Sequence, residues 1–569
     1  MMKISNSCRL VLRFIKKKLL FRAISFHRWL FKIMGIRKWP GVWLVSLLAV
    51  VAACGPVKRS SLNVLRVGNG AEPASLDTQV VDGKIEADIL YALFEGLVIS
   101  DPKTLELRPA MAAHWEVSAD GLRYTFTLRE GLRWSNGDSF TSEDFVFSAK
   151  RILSPKLGSP WTPFFFTLRN AEAYFEGKIK DFREVGIRAV DALHLEFTLE
   201  RPVPYFLELL VHSCWYPVHK NTIEKFGKMD ERDTHWIRPG NMVCNGPFVL
   251  KSWENGHYIS VKKNPYYWDK ASVALDEIRF YPVADTATEE RMYASGELDI
   301  TYRTHVSKIE HYKKTGELRL HPHLGCMWVA ANCEKPPFDD PRLRKALALV
   351  INRKEIGKVR GFGEGLESYG VIPPGMSHYE QLPRPFEEDV EEGRRLLAEV
   401  GYPGGKGFPK MEVLYYLSDE NKAIFEALQA MWERNLGIHF NLVGQEWKVY
   451  LASLNRGDFA IARHRWYGDY NDPTTMLNIF RSDDPCNYAR WHSAAYDEFL
   501  ARAQDTQDER ERIRLLQGAE RIFLQELPGI PVYWEASSHL VALNVEGWFA
   551  NTLDLHPWKY VSKSQSGKK

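Results

Sequence analysis

The chain has 569 residues, 45% hydrophobic and 26% charged, which suits a large buried core in several domains and excludes a disordered, collagen-like or wholly membrane-embedded chain. Its formal charge of +3 hides an asymmetry. Residues 1–53 hold 11 Lys and Arg and no acid, and removing those 11 from the total of 75 leaves 64 basic against 72 acidic groups, about −8 for the body, a sign that argues against a nucleic-acid partner.

Trp43 to Ala53 (WLVSLLAVVAA) is an apolar stretch behind Arg37 and Lys38, an h-region too short to span a bilayer as a permanent helix. It ends in Val51-Ala-Ala-Cys54, which resembles the lipobox of bacterial lipoproteins. That resemblance implies a signal peptide over residues 1–53, cleavage before Cys54, lipidation of Cys54 and a membrane-anchored protein on the periplasmic side. Met34 to Lys38 forms a conventional n-region, so the expected start of the signal is Met34. Of seven cysteines, Cys8 lies in the leader. The five after Cys54 are Cys214, Cys244, Cys326, Cys333 and Cys486, an odd number without CxxC spacing, read as packing residues.

Beyond the tether, Leu122 to Leu128 alternates as a strand after Asp120-Gly121. Leu132 to Trp134 leads to a second turn at Asn136-Gly137, so the pattern predicts a β-meander. Thr141 stands three residues before Asp144, the spacing of a capping box, and opens a helix reaching Arg151. The arms Val249 to Trp253 and Tyr258 to Lys262 flank Asn255-Gly256 as a hairpin. Pro341 starts a helix, another ends at Gly401-Tyr402-Pro403, and a third runs from the N-cap Ser418 to Gly437. The mixture predicts an α/β or α+β chain in several lobes.

Several long blocks carry a resemblance. They are LRPAMAAHWEVSADGLRYTFTLREGLRWSNGDSFTSEDFVFSAKRIL from Leu107, NGPFVLKSW from Asn245, NPYYW from Asn264, KPPFDDPRLRKALAL from Lys335, LLAEVGYPGGKG from Leu396 and GDYNDPTT from Gly468. In order and spacing the chain resembles the solute-binding proteins, family 5, of bacterial ABC importers, in their peptide-binding group. The resemblance implies a two-lobed periplasmic-binding-protein clamp with an extra third domain (type II, cluster C-like). Domain I would comprise residues 54–94, 221–325 and 537–569, domain II residues 95–220 and domain III residues 326–536. It further implies a monomer that captures oligopeptides as extended strands and delivers them to an ABC permease. Backbone hydrogen bonds are common to all sequences, so strand addition gives affinity without side-chain choice.

The resemblance also implies site residues. Asp469 matches the anion for a ligand α-ammonium, and Arg463 a carboxylate partner. Trp466 and Tyr467 lie on the strand that pairs with the ligand, and Trp447, Asp82, Trp161 and Asn245 match further contacts. Three basic positions of the family are replaced by Asn421, Leu454 and Gly361, with Arg360 and Arg456 nearby as substitutes. Arg465 stands where a small residue is usual, so it narrows the cleft or meets an acidic ligand group, as in a cell-wall peptide. A nickel or haem carrier needs clustered metal ligands, which the sequence does not display, and His321-Pro322-His323 is too rigid and isolated to be more than a weak metal candidate. HExxH, GxSxG and phosphate-loop patterns are absent, so the reading gives no catalytic residue and no cofactor, and sets aside an extracytoplasmic peptidase.

Overall fold

The computed structural model describes residues 63–376 and 378–564. The expected leader, the lipobox and Cys54 lie outside the described residues. Among the described residues no helix is long and apolar enough to cross a membrane.

Three main sheets organise the chain. The first orders Val64–Gly68, Glu277–Tyr281, Tyr258–Lys263 and Phe248–Glu254, its first pair parallel and the others antiparallel. The last two strands are the expected hairpin, turning at Gly256, whose φ of +69° suits glycine. The second sheet, all antiparallel, orders Ala112–Val117, Arg123–Leu128, His194–Thr198 and Ile187–Ala189. Here the meander is corrected. Arg133 makes only an isolated bridge to Ser139, and the neighbour of Arg123–Leu128 is His194–Thr198, which follows only after the helical segments between them. A local hydrophobic pattern could not report that non-local pairing. One continuous core, including Phe126, Trp134, Phe197, Trp236 and Phe280, serves both sheets.

The third sheet orders Phe440–Gln445, Met411–Tyr416, Ile461–Tyr467, Leu318–Ala331 and Gly529–Leu540. Its long strand Leu318–Ala331 is covered on both faces. Met327, Val329 and Ala331 enter one core while Cys326, Trp328 and Ala330 enter another, the period-2 alternation of a strand sandwiched between helices. Helices Pro341–Leu349, Val390–Glu399 and Asp419–Leu436 cover the first face. The last begins where Ser418 accepts a hydrogen bond from the Asn421 amide and stops at Gly437, φ +70°, as expected. Helix Ser142–Ile152 has the capping box, with the Thr141 amide donating to the Asp144 carboxylate at 2.8 Å.

Leu318–Ala331 and Gly529–Leu540 pair along most of their length, and their far ends leave the third sheet to meet the first. There Ile300 bridges both Val67 and Val541. The five cysteines after residue 62 are free, and Cys214, Cys244 and Cys326 are fully buried.

Candidate functional site

A cleft of about 780 Å³ lies where the shared core of the first two sheets faces the third sheet. One wall comes from the segment 81–91 with Trp161, Glu208 and His212. The other comes from Tyr416, Glu420, Arg465, Tyr467, Asp469 and Glu535, and the floor from Tyr302, Arg303, His539 and Asp554.

The strand Ile461–Tyr467 gives this wall its chemistry. It pairs with Leu318–Ala331 along its whole length, but with Met411–Tyr416 only at Ile461 and Ala462. Beyond Ala462 those two strands splay apart. The Gly468 amide donates to the Leu324 carbonyl at 2.7 Å, which sets the parity. Ala462, His464 and Trp466 turn their backbone groups toward Leu318–Ala331, so Arg463, Arg465 and Tyr467 turn theirs to the opposite edge. There the Arg463 carbonyl accepts from the Tyr450 hydroxyl. Among the described residues no backbone partner meets the outward amides and carbonyls of Arg465 and Tyr467. A short open sheet edge therefore faces the cleft.

At the end of this edge stands Asp469. Its amide donates to the Thr475 hydroxyl at 2.9 Å, fixing the turn. Its carboxylate lines the cleft without a hydrogen bond or counter-ion among the described residues. Solvent reaches it, but the surrounding walls desolvate it and push its pKa up to about 6. Glu208 across the cleft is also unpaired and is pushed up to about 8, first by burial and then by Asp472. Trp161 is held by its indole N–H donating to the Val81 carbonyl at 2.7 Å and packs on the His212 ring at 4.1 Å. Burial keeps His212 neutral, with a pKa of about 4.

Arg465 enters the cleft with Nη1 3.7 Å from Glu535 Oε1 and its guanidinium 4.9 Å from the Tyr467 ring centre. Arg360 reaches the same carboxylate at 3.4 Å and stacks on Tyr533 at 3.6 Å. Burial alone would raise the Glu535 pKa, but Arg360 and Arg465 outweigh it and hold the carboxyl below its usual range. On the floor, Asp554 lies 3.2 Å from the Lys84 ammonium and 2.9 Å from His539 Nε2. His539 and Lys84 overcome burial and keep it ionised.

Of the sequence-predicted residues, the structure brings Asp82, Trp161, Arg465, Tyr467 and Asp469 to one cleft. It does not bring four others there. Trp466 takes the opposite face from Tyr467 and packs against the core containing Trp328 and Trp534. Arg463 is buried beneath Tyr416, 4.7 Å from its ring centre. Asn245 is buried and spends its amide on the Glu95 backbone at 3.2 and 2.8 Å. Trp447 is half exposed, edge-on to Tyr416, outside the lining. Of the two substitutes, Arg360 lines the cleft, whereas Arg456 is exposed and paired with Asp458 at 2.6 Å. Sequence reasoning missed Lys84, Glu208, Glu420, Glu535, His539 and Asp554. No local motif marks them, because the sheet order and the closing C-terminal segment bring them in.

The family model "Bacterial extracellular solute-binding proteins, family 5 Middle" matches residues 106–487. The periplasmic oligopeptide-binding protein OppA of Salmonella typhimurium is 35% identical over 520 residues, 89% of this chain and 93% of its own. The probable deoxycholate-binding periplasmic protein YgiS of Escherichia coli is 34% identical over 89% of this chain and 95% of its own. Among solved structures, the unliganded open form of the murein tripeptide binding protein MppA superposes with a TM-score of 0.79, at 31% identity over 88% of this chain and 98% of its own. These matches span the fold and both walls of the cleft, and the chain belongs to the bacterial extracellular solute-binding proteins, family 5.

Proposed function

We propose that this protein captures oligopeptides outside the cytoplasmic membrane and hands them to an ABC permease, tethered by lipid on Cys54. The observation that carries the reading is the open edge at Arg465 and Tyr467 ending at the unpaired carboxylate of Asp469. An extended peptide adds to that edge through its backbone, and its α-ammonium meets Asp469. Tyr467, Trp161 and Asp82 flank the chain, and the ligand carboxylate lies toward Arg465 and Arg360, with Arg463 set behind Tyr416. Water in the wide cleft accommodates differing side chains. The relatives named for oligopeptides and for murein tripeptide support a peptide ligand.

The partition of sheets supports the domain scheme. The first sheet falls within 54–94 and 221–325, the second within 95–220, and the third mainly within 326–536. The two long strands that leave the third sheet are the hinge, and a ligand touching both walls shifts the open–closed equilibrium.

Calorimetry with a free-amine peptide, its N-acetylated form and the Asp469→Ala variant tests the reading. Loss of one charge-assisted contact in an enclosed site costs about 2–5 kcal/mol, so acetylation and Asp469→Ala should each weaken binding by more than tenfold. Equal affinity of the acetylated peptide for the unaltered protein removes Asp469 as the anchor.

A further inference from the structure

Below the cleft floor three histidines converge on one carboxylate. His539 Nε2 lies 2.9 Å, His556 Nε2 3.0 Å and His321 Nε2 3.7 Å from Asp554 Oδ1. All four residues are at least nine-tenths buried. The nitrogen and oxygen atoms of His539, His556 and Asp554 lie within 4.8 Å of one another.

Hydrogen-bond bookkeeping at this cluster leaves positions unfilled. His539 Nδ1 lies 2.9 Å from the Thr301 carbonyl oxygen, which can only accept, so Nδ1 carries the proton. In a neutral ring Nε2 is then a bare lone pair, and it faces a carboxylate that also offers only lone pairs. Either a proton on Nε2 or a metal ion fills the space between them. One added proton would serve His539 alone. His321, whose Nε2 lies 3.7 Å from the same Oδ1, has no hydrogen-bond partner on either ring nitrogen. A divalent ion held by His539 Nε2, His556 Nε2 and Asp554 Oδ1 takes these facing groups together, with the His556 proton carried on Nδ1.

The surroundings fit such an ion. A backbone carbonyl that takes the far N–H of a ligating imidazole is the usual device for fixing its tautomer, and Thr301 supplies it. Trp548 stacks on His556 with ring centres 3.6 Å apart, fixing the plane of that ring. Lys84 engages the other carboxylate oxygen, Oδ2, at 3.2 Å and Asp88 at 3.0 Å, so Oδ1 stays available. Donors at about 2.0–2.1 Å from a tetrahedral zinc ion sit about 3.3 Å apart, and the His539 and His556 Nε2 atoms stand 2.9 and 3.0 Å from Asp554 Oδ1. His539 and Asp554 also line the cleft, which gives the ion an entry path.

We propose that His539, His556 and Asp554 form a divalent-metal site of the zinc class beneath the cleft floor, with His321 beside it. The ion ties the C-terminal segment bearing Asp554 and His556 to the long strand Gly529–Leu540 bearing His539. Imidazole and carboxylate donors select a borderline divalent ion over calcium or magnesium.

The test is titration of chelator-stripped protein with Zn²⁺ alone, together with crystallographic anomalous scattering at the zinc edge. One equivalent should bind, raise the melting temperature, and give an anomalous peak between His539 Nε2, His556 Nε2 and Asp554 Oδ1. His539→Gln and His556→Gln should each weaken Zn²⁺ binding by about tenfold or more. Circular dichroism and a cooperative thermal melt read in parallel report whether each variant is folded. The absence of saturable binding to the unaltered protein, or an anomalous peak elsewhere, overturns the proposal without recourse to any variant. Folded variants that bind Zn²⁺ as the unaltered protein does overturn it equally.

Discussion

Asp469 is an acid whose native pKa, about 6, lies above its ordinary value because the cleft desolvates it. Between its ordinary pKa and about pH 6 the folded protein binds more protons than the unfolded chain, so this residue makes the empty protein less stable as pH rises through that window. A bound ammonium reverses the preference by favouring the carboxylate. Peptide affinity should therefore fall as pH drops below about 6. Asp469→Asn should raise the melting temperature of the ligand-free protein near neutral pH, lose that advantage in acid where the parent carboxyl is protonated, and bind free-amine peptides poorly under both conditions. Paired calorimetry and thermal melts check this, and a ligand-free Asn variant less stable than the parent near neutral pH would contradict it. The neighbouring aromatics show how far a residue can be read without its strand. Trp466 and Tyr467 are adjacent and chemically alike, yet one packs in a core and the other lines the cleft. Their parity depends on pairing with Cys326 and Gly325, which belong to a strand far upstream in the chain.

At the scale of the element, what matters is an edge that stays open for only a few residues. Arg465 and Tyr467 present backbone groups to the cleft while Trp466 does not, so a peptide adding there meets partners at alternate positions. Replacing single ligand amides by esters should weaken binding with a period of two. Each effective position should lose about 1 kcal/mol, roughly fivefold, and intervening positions should change little. A uniform or aperiodic loss across an ester series measured by calorimetry would mean that the ligand is not held as an added strand. Elements whose signals are local were legible in the sequence. The Thr141 capping box, the hairpin at Gly256 and the Ser418 to Gly437 helix each rest on contacts within a few residues. The order of the third sheet was not legible, since it places Gly529–Leu540 beside Leu318–Ala331, and no local pattern encodes that pairing. For the same reason Asp469 could be read from its own block, whereas Glu535, which meets Arg465 from a strand at the other edge of the sheet, could not. The cluster of His539, Asp554, His556 and His321 shows this most clearly. Asp554 and His556 are near neighbours in sequence, but His321 reaches them from the third-sheet strand Leu318–Ala331, far upstream in the chain.

Over the whole molecule, charge is distributed to bias what the cleft accepts. The lining holds seven Asp and Glu against four Lys and Arg. Those cations are largely spoken for, with Lys84 held by Asp88 and Asp554, Arg360 by Glu420 and Glu535, and Arg465 by Glu535. Asp82 and Asp469 have no counter-ion among the described residues, whereas Glu208, pushed up to about 8 first by burial and then by Asp472, is mostly protonated near neutral pH. Since a ligand is enclosed between both walls, its own charges meet this field at short range, where salt screens it only in part. A lysine-containing peptide should therefore bind more tightly than the same peptide with glutamate in place of lysine, and the gap should narrow as salt is raised from low to physiological strength. The part that survives at high salt measures contacts made inside the closed cleft, and the part that disappears measures attraction before closure. Equal affinities at low salt would show that water within the cleft neutralises the unpaired acids. A tighter glutamate peptide would show that Arg465 and Arg360 leave Glu535 to meet the ligand, which reverses the selectivity derived from the empty cleft.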